Sequence, residues 1–317
     1  MRAIVVNKDG VAVRSDYPGP RPAQGESIVR VSLAGICGTD LELARGYMNY
    51  RGVPGHEFVG HVVESAESSL IGRRVVGEIN AACGRCRACA RELGRHCPNR
   101  TVLGILGRDG AMAEYLTLPN RNLFVVPDSV PDEGAVFVEP LAAAYEIFEQ
   151  RPIARDSRVL VLGDGRLGSL VATVFRSEDY DVRIAGHHSE KLSCLAKLGF
   201  ATTDEREMDA LYDVVVDCTG SAAGFQRAVE LVRPRGLLIL KSTAADGANL
   251  NLAPVVISEI TVLGSRCGRF EPALGALAAR KIDPTPLISA IYPLDDATRA
   301  FEAAAAPSNF KVLLRPT

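Results

Sequence analysis

The chain has 317 residues, 47% of them hydrophobic, and a formal net charge of −2. That length suits about two domains with sizeable cores, and so even a charge balance speaks against a nucleic-acid or anionic-membrane surface. No apolar run reaches the ~18 residues of a membrane span, and the opening Met1 to Asn7 reads as a strand, not as the apolar core of a secretory signal. A cytoplasmic protein is the expectation, and its eight cysteines are then not expected to form disulfides.

From Met1 to about Leu33 the pattern is β-like. Ala3 to Val6, Val11 to Arg14 and Ser27 to Leu33 alternate or run apolar, and Pro18, Gly19, Pro20 and Pro22 punctuate them. This suits a β-rich lobe. Next comes Cys37-Gly38-Thr39-Asp40, which sets a thiol, a hydroxyl and a carboxylate on a turn after a strand. Gly55-His56-Glu57 opens a further strand. Taken singly, Cys37 reads as a small buried hydrophobe and His56 as a satisfied polar residue. Taken together, thiolate, imidazole and carboxylate are zinc ligands. Asp40 is placed to accept the other ring N–H of His56 and fix its tautomer.

The sharpest local signal is Cys83-x2-Cys86-x2-Cys89-x7-Cys97. Four thiolates can close tetrahedrally on one ion and leave no open position, which marks a structural zinc. An iron–sulfur cluster is the alternative for four cysteines. His96 adjoins Cys97 but finds the fourth place taken, and His61, inside an alternating strand, reads as solvent-facing. Short strands follow through Pro127. Glu139 then stands in an apolar run, Val136 to Ala142, where a carboxylate is costly unless paired or metal-bound. It is read as lying near the Cys37/His56 metal, against the plainer reading of a helix-start glutamate.

The second half opens on Arg158 to Leu162, a short apolar run that breaks into Gly163-Asp164-Gly165-Arg166-Leu167-Gly168 before apolar residues at helical spacing. Strand, glycine turn and helix form the dinucleotide fingerprint in its proper context. Asp181 to Ala185 reads as the next strand. About 20 residues past the fingerprint an acid normally grips the ribose 2′-hydroxyl of NAD. Here the chain reads Gly186-His187-His188-Ser189, with Arg183 and Lys191 nearby. The missing acid favours NADP(H) over NAD(H), although the two histidines also read as a polar strand end. A buried strand ends in Asp217-Cys218-Thr219-Gly220, and two more end near Lys241 and Arg266, which reach either the cofactor or solvent. Ala273 to Lys281 reads as a helix, and short strands close the chain.

In this order the motifs resemble the zinc-dependent medium-chain dehydrogenase/reductase superfamily, nearest its polyol, sugar and threonine dehydrogenase branches. The resemblance covers nearly the whole chain. It implies an α/β architecture: a GroES-like β-barrel catalytic domain over 1–142 carrying both zinc sites, a Rossmann doubly wound parallel sheet over 143–281, and a return to the catalytic domain over 282–317. It implies two zinc ions per chain, Cys37 and His56 as catalytic ligands completed by Glu57 and Glu139, and Cys83, Cys86, Cys89 and Cys97 as structural ligands. Thr39 would receive the substrate hydroxyl proton. Gly163, Gly165, Arg166, Leu167, Gly168, His187, His188, Lys191, Thr219, Gly220 and Arg266 would line the NADP or NAD site. A homodimer or homotetramer acting on a small alcohol or carbonyl, with no nucleic-acid or membrane partner, is implied too. Many relatives carry a histidine where this chain has Glu42, so the proton relay departs from the family beyond Thr39. Two other readings stand beside the dehydrogenase: a non-catalytic nucleotide-binding relative, and a zinc-free quinone or enoyl reductase.

Overall fold

The computed structural model describes residues 1–8, 10–242 and 250–316. The chain forms two compact units, Met1–Glu139 with Phe270–Thr317, and Pro140–Arg269.

In the first unit the central strand, Glu26–Gly35, buries alternate residues up to Leu33 and then every residue to Gly35. Among the described residues it belongs to a seven-stranded sheet. The order across that sheet is Ile288–Pro293, Lys311–Arg315, Glu26–Gly35, Glu57–Ser65, Arg74–Gly77 and Leu123–Val125, with Tyr115–Pro119 also pairing Glu26–Gly35. Two antiparallel registers position the chemistry. Gly35 opposes Glu57, so Cys37, just past one strand, and His56, just before the other, emerge at the same sheet end. Leu313 also opposes Gly35, so the strand that closes the chain delivers Lys311 to that end.

The helix Gly38–Ala44 starts there for a local reason. Cys37 is its N-cap, with extended backbone, and Asp40 in the first turn reaches back to accept the Cys37 N–H at 2.8 Å. This is the carboxylate half of a capping box, and it fixes the backbone that carries the thiol. Gly55 adopts φ +98°, and a Cβ there would lie 2.7 Å from the Met112 side chain. Only glycine makes the tight entry to the strand that His56 precedes.

In the second unit the described residues form a six-stranded parallel sheet. Its order is Ala201–Asp204, Asp181–Gly186, Arg158–Leu162, Tyr212–Asp217, Val232–Leu240, Thr261–Gly264. In chain order this is 3-2-1-4-5-6, the doubly wound dinucleotide-binding arrangement. Leu160, Leu162, Val215, Leu238, Phe225 and Ala228 pack its core. The order reverses between Arg158–Leu162 and Tyr212–Asp217, and the loops leaving their carboxyl ends border the crevice where such sheets bind ligands.

The expected boundaries at 142 and 281 shift to 139 and 269. The helix read over Ala273 to Lys281 runs over Phe270–Ala278 and belongs to the first unit. Its Phe270 ring lies 5.2 Å from that of Phe124. An apolar helix stripe reads the same whichever sheet it covers, so the sequence pattern did not assign it.

Arg108 joins three separate segments of the first unit. It donates to Glu26 at 2.6 Å, to the Thr101 hydroxyl at 3.1 Å and to the Thr117 carbonyl at 3.1 Å. The Glu26–Arg108 pair is largely buried, with side-chain exposures of 11% and 16%. Arg108→Met is expected to destabilise the fold by about 2–3 kcal/mol, because it strands the Glu26 carboxylate. Thermal unfolding checks this, and an unchanged melting temperature would remove the pair from the account.

Candidate functional site

The four lobe cysteines converge. Their sulfurs lie 3.5 Å apart for Cys83–Cys97 and for Cys86–Cys89, 3.6 Å for Cys86–Cys97 and 4.0 Å for Cys83–Cys89. A regular tetrahedron with metal–sulfur bonds of about 2.3 Å has sulfur–sulfur edges of about 3.8 Å. The observed set brackets that value and is far longer than the ~2.05 Å of a disulfide. It fits one ion held by four thiolates, whereas a multi-iron cluster would spread its thiolates over separate irons. The main-chain N–H of Arg85, with the Cys97 thiol, brings the Cys83 thiol down to about 6. Hydrogen bonding led by the Cys89 N–H lowers Cys86 as well, while burial and the neighbouring sulfurs push Cys89 up to about 11. His96 is exposed, outside this group.

At the sheet end, one ligand atom each from Cys37, His56 and Glu57 lies within 4.8 Å of the others. His56 is 4% exposed and Glu57 1%. Asp40, fully buried, organises them. Besides the Cys37 N–H it accepts the Gly55 N–H at 3.0 Å, and its Oδ1 faces His56 Nδ1 at 3.5 Å. That leaves the other ring nitrogen of His56 for a metal. Burial works against a charge on His56, but Asp40 and Cys37 outweigh it and hold the imidazole well above its usual range. The same negative field favours a divalent cation. A thiolate, an imidazole and a carboxylate brought this close, with Cys37 half-buried beside the buried His56 and Glu57, are a donor set for zinc.

Lys311 was not anticipated from the sequence. Its ammonium meets Glu57 Oε2 at 2.5 Å, and both groups are almost wholly buried. Its only sequence signal is a lone lysine opening an apolar strand near the C-terminus. Glu139 does not join the trio that closes within 4.8 Å. It stands within electrostatic reach: burial raises its carboxyl to about 7, with Glu57 and Glu78 adding to the rise and His56 and Lys311 opposing it. Glu78 is a further carboxylate the motifs did not flag. Thr39 is half-buried in the first turn after Cys37. Glu42 lies on the surface with Arg45, 2.7 Å away.

The three fingerprint glycines differ in their surroundings as their roles require. Gly163 adopts φ +114°, and a Cβ at Gly168 would fall 1.9 Å from the Gly163 carbonyl oxygen. In front of Gly165 there is open space, where a pyrophosphate can approach the helix Arg166–Ser177. Arg166 and Leu167 are half-buried in its first turn. The loop after Asp217 is braced locally: Thr219 N–H and hydroxyl both donate to Asp217, at 2.8 and 2.7 Å, and Gly220 adopts φ +71°. Burial raises the Cys218 thiol far above its ordinary range. Lys241 is turned away from solvent. It is buried and donates to Ala143, Ser265 and Arg266, while the Arg266 side chain lies in an exposed residue.

The strand end at Gly186 faces a side chain from another segment. The lean toward NADP(H) rested on there being no carboxylate at this place. One is there, supplied by the fingerprint itself: Asp164 accepts the His188 N–H at 2.8 Å, and its other oxygen meets His188 Nδ1 at 2.8 Å. A linear count along the chain looks 20 residues downstream and passes over an acid that the turn folds back. His187 is exposed, 3.5 Å from Glu205, and Lys191 is buried.

Residues 23–128 match the alcohol dehydrogenase GroES-like domain family and residues 167–279 the zinc-binding dehydrogenase family. A sorbitol dehydrogenase from Halalkalibacterium halodurans is 28% identical, covering 100% of this chain and 99% of its own. An L-threonine 3-dehydrogenase from Chelativorans sp. is 30% identical over 94% of this chain and 93% of its own. Among solved structures, a protein described as a short chain alcohol dehydrogenase (rspB) from Escherichia coli CFT073, complexed with NADH, superposes with a TM-score of 0.90. It is 26% identical and covers 99% of each chain.

Elemental analysis is expected to find two zinc ions per chain. Cys86→Ser should lower that count to one and the melting temperature by several degrees, the scale of a lost structural metal in a small lobe. Cys37→Ala should also lower the count to one, yet leave the melting temperature within a few degrees. Full zinc content in Cys86→Ser would dismiss the four-cysteine assignment.

Proposed function

The chain belongs to the zinc-dependent medium-chain dehydrogenase/reductase family, and we propose that it oxidises a polyol or sugar alcohol reversibly, with Cys37, His56 and Glu57 holding the catalytic metal. It is an NAD(P)-dependent alcohol dehydrogenase by class. The observation that carries the residue assignment is the convergence of three donor atoms of different chemistry within 4.8 Å, two of them on buried residues. Zinc supplies Lewis acidity to an alcohol oxygen, and the nicotinamide supplies the hydride acceptor.

The chain's own groups do the rest. Asp40 holds the His56 ring in one tautomer, so a single nitrogen is presented. Lys311 neutralises one carboxylate charge in a pocket that already gathers Cys37, Asp40, Glu57 and Glu139. Glu57 is therefore held in place without the full repulsion of its neighbours. Glu139 stands as the further carboxylate of this pocket. Thr39 takes the substrate hydroxyl proton and passes it to water, since Glu42 is turned to solvent beside Arg45. Cys83, Cys86, Cys89 and Cys97 hold the structural zinc.

The carboxylates around the metal and the sorbitol dehydrogenase relative support a polyol or sugar substrate. An amino alcohol such as threonine is the second reading, supported by the threonine dehydrogenase relative. The intact donor trio weighs against a non-catalytic relative and against a zinc-free reductase. A homodimer or homotetramer is supported by the second unit. Its outer strand Thr261–Gly264 ends the sheet, and nearby Leu252, Val256 and Ile257 are 55%, 76% and 81% exposed. Unpaired edges and apolar patches of this kind are normally covered. No helix among the described residues is long and apolar enough to cross a membrane, and the free cysteines support a cytoplasmic setting.

A panel of polyols, sugars, threonine and simple secondary alcohols, run with and without a zinc chelator, should give chelator-sensitive turnover with a polyol or sugar. Chelator-resistant activity would overturn the mechanism. Cys37→Ala should lower kcat/KM by about 10³-fold or more, the scale of a lost Lewis acid. Thr39→Val should lower kcat by roughly 10²-fold or more, as loss of a proton acceptor does, with zinc content unchanged.

A further inference from the structure

In this chain the strand end that would carry a ribose-reading acid is a glycine, and an acid of the glycine loop stands beside it. In a sheet of this order the reader of the 2′-hydroxyl is normally an Asp or Glu at the end of the second strand. That strand ends here at Gly186, which has no side chain. A Cβ built on Gly186 would fall 2.3 Å from Asp164 Oδ2 and 2.4 Å from Asp164 Cγ. The Asp164 carboxylate thus occupies the space that a side chain at 186 would enter. It comes from the residue between the first two fingerprint glycines, next to the pyrophosphate approach.

We infer that Asp164 replaces the strand-end acid of the ribose pocket and makes this enzyme select NAD(H) over NADP(H). The inference rests on the dehydrogenase reading above and adds which dinucleotide is chosen and by what group. His188 holds the carboxylate in place from both its main chain and its ring, at 2.8 Å each. A carboxylate has about four acceptor positions, so two remain for a ribose diol. Asp164 is 3% exposed, so water and salt screen its charge poorly, and a 2′-phosphate meets it at close to full strength. Lys191, itself buried, lies within electrostatic reach of this carboxylate, so the acid offsets the nearby cation that would otherwise welcome a 2′-phosphate. Gly186 is required by the same arrangement, because any side chain there would collide with Asp164.

Calorimetric titration of the zinc-loaded full chain with NAD⁺ and with NADP⁺, without alcohol, reads this directly. NAD⁺ should bind at least about tenfold more tightly, the scale of a like-charge contact avoided. Asp164→Asn keeps an oxygen for the His188 N–H and removes the charge, and should cut that preference by about tenfold, largely by improving NADP⁺ binding. The double variant D164G/G186D, which returns the acid to the strand end in the space it vacates, should restore the preference for NAD⁺. Tighter binding of NADP⁺ by the unaltered chain would overturn the inference, and so would equal weakening of both dinucleotides in Asp164→Asn, the mark of a purely structural clasp. Binding of neither dinucleotide would sink the dehydrogenase reading together with this one. The unaltered chain's ratio decides the direction even if a variant fails to fold.

Discussion

The Asp40 carboxylate is the constraint on which the metal site depends. It is fully buried, and it accepts from the main chain of Cys37 and of Gly55 while facing the His56 ring. One side chain thereby caps a helix, ties two segments 15 residues apart and orients an imidazole. A buried carboxylate is costly unless its lone pairs are met, so each of these contacts also keeps Asp40 in place. The sheet register does the coarse positioning, because Gly35 opposes Glu57 and Leu313 opposes Gly35. Asp40 does the fine positioning within it.

Charge balance then explains the site's composition. Asp40 and Glu57 are buried acids, Cys37 and Glu139 stand half-buried beside them, and the described residues set Lys311 and His56 against this group. A cluster of such donors suits a divalent cation. The four-cysteine lobe solves a simpler problem. Its sulfurs already stand at tetrahedral spacing, and four thiolates on one ion would leave no open position for a substrate.

Cofactor selection shows how a motif can conceal its own exception. The three fingerprint glycines have the turn, the open approach and the close packing expected of them. The acid was sought downstream, where a Gly-His-His-Ser run stands, and its absence there suggested a phosphate-tolerant pocket. An acid, Asp164, does lie inside the fingerprint, at a position usually treated as variable. Gly186 and Asp164 are complementary, one lacking a side chain where the other needs room.

The motifs, the two-unit plan, the parallel sheet and the cysteines that converge in the lobe were legible in the sequence, because each depends on local spacing: ligand intervals, glycine turns and strand periodicity. Cys83 to Cys97 and Gly163 to Gly168 are contiguous, so chain order is nearly spatial order. What only the tertiary structure decided depends on residues far apart in sequence. Lys311 meets Glu57 across 254 positions because two strands happen to flank one central strand. The helix Phe270–Ala278 joined the first unit because its apolar face packs by Phe124, a choice no periodicity records. Asp164 reached Gly186 because a tight turn reverses the chain above the sheet. Local pattern determines which elements form and which residues have the right chemistry. The pairing of side chains in a buried pocket is set by register and packing, where a single carboxylate's position follows from every neighbour that satisfies it.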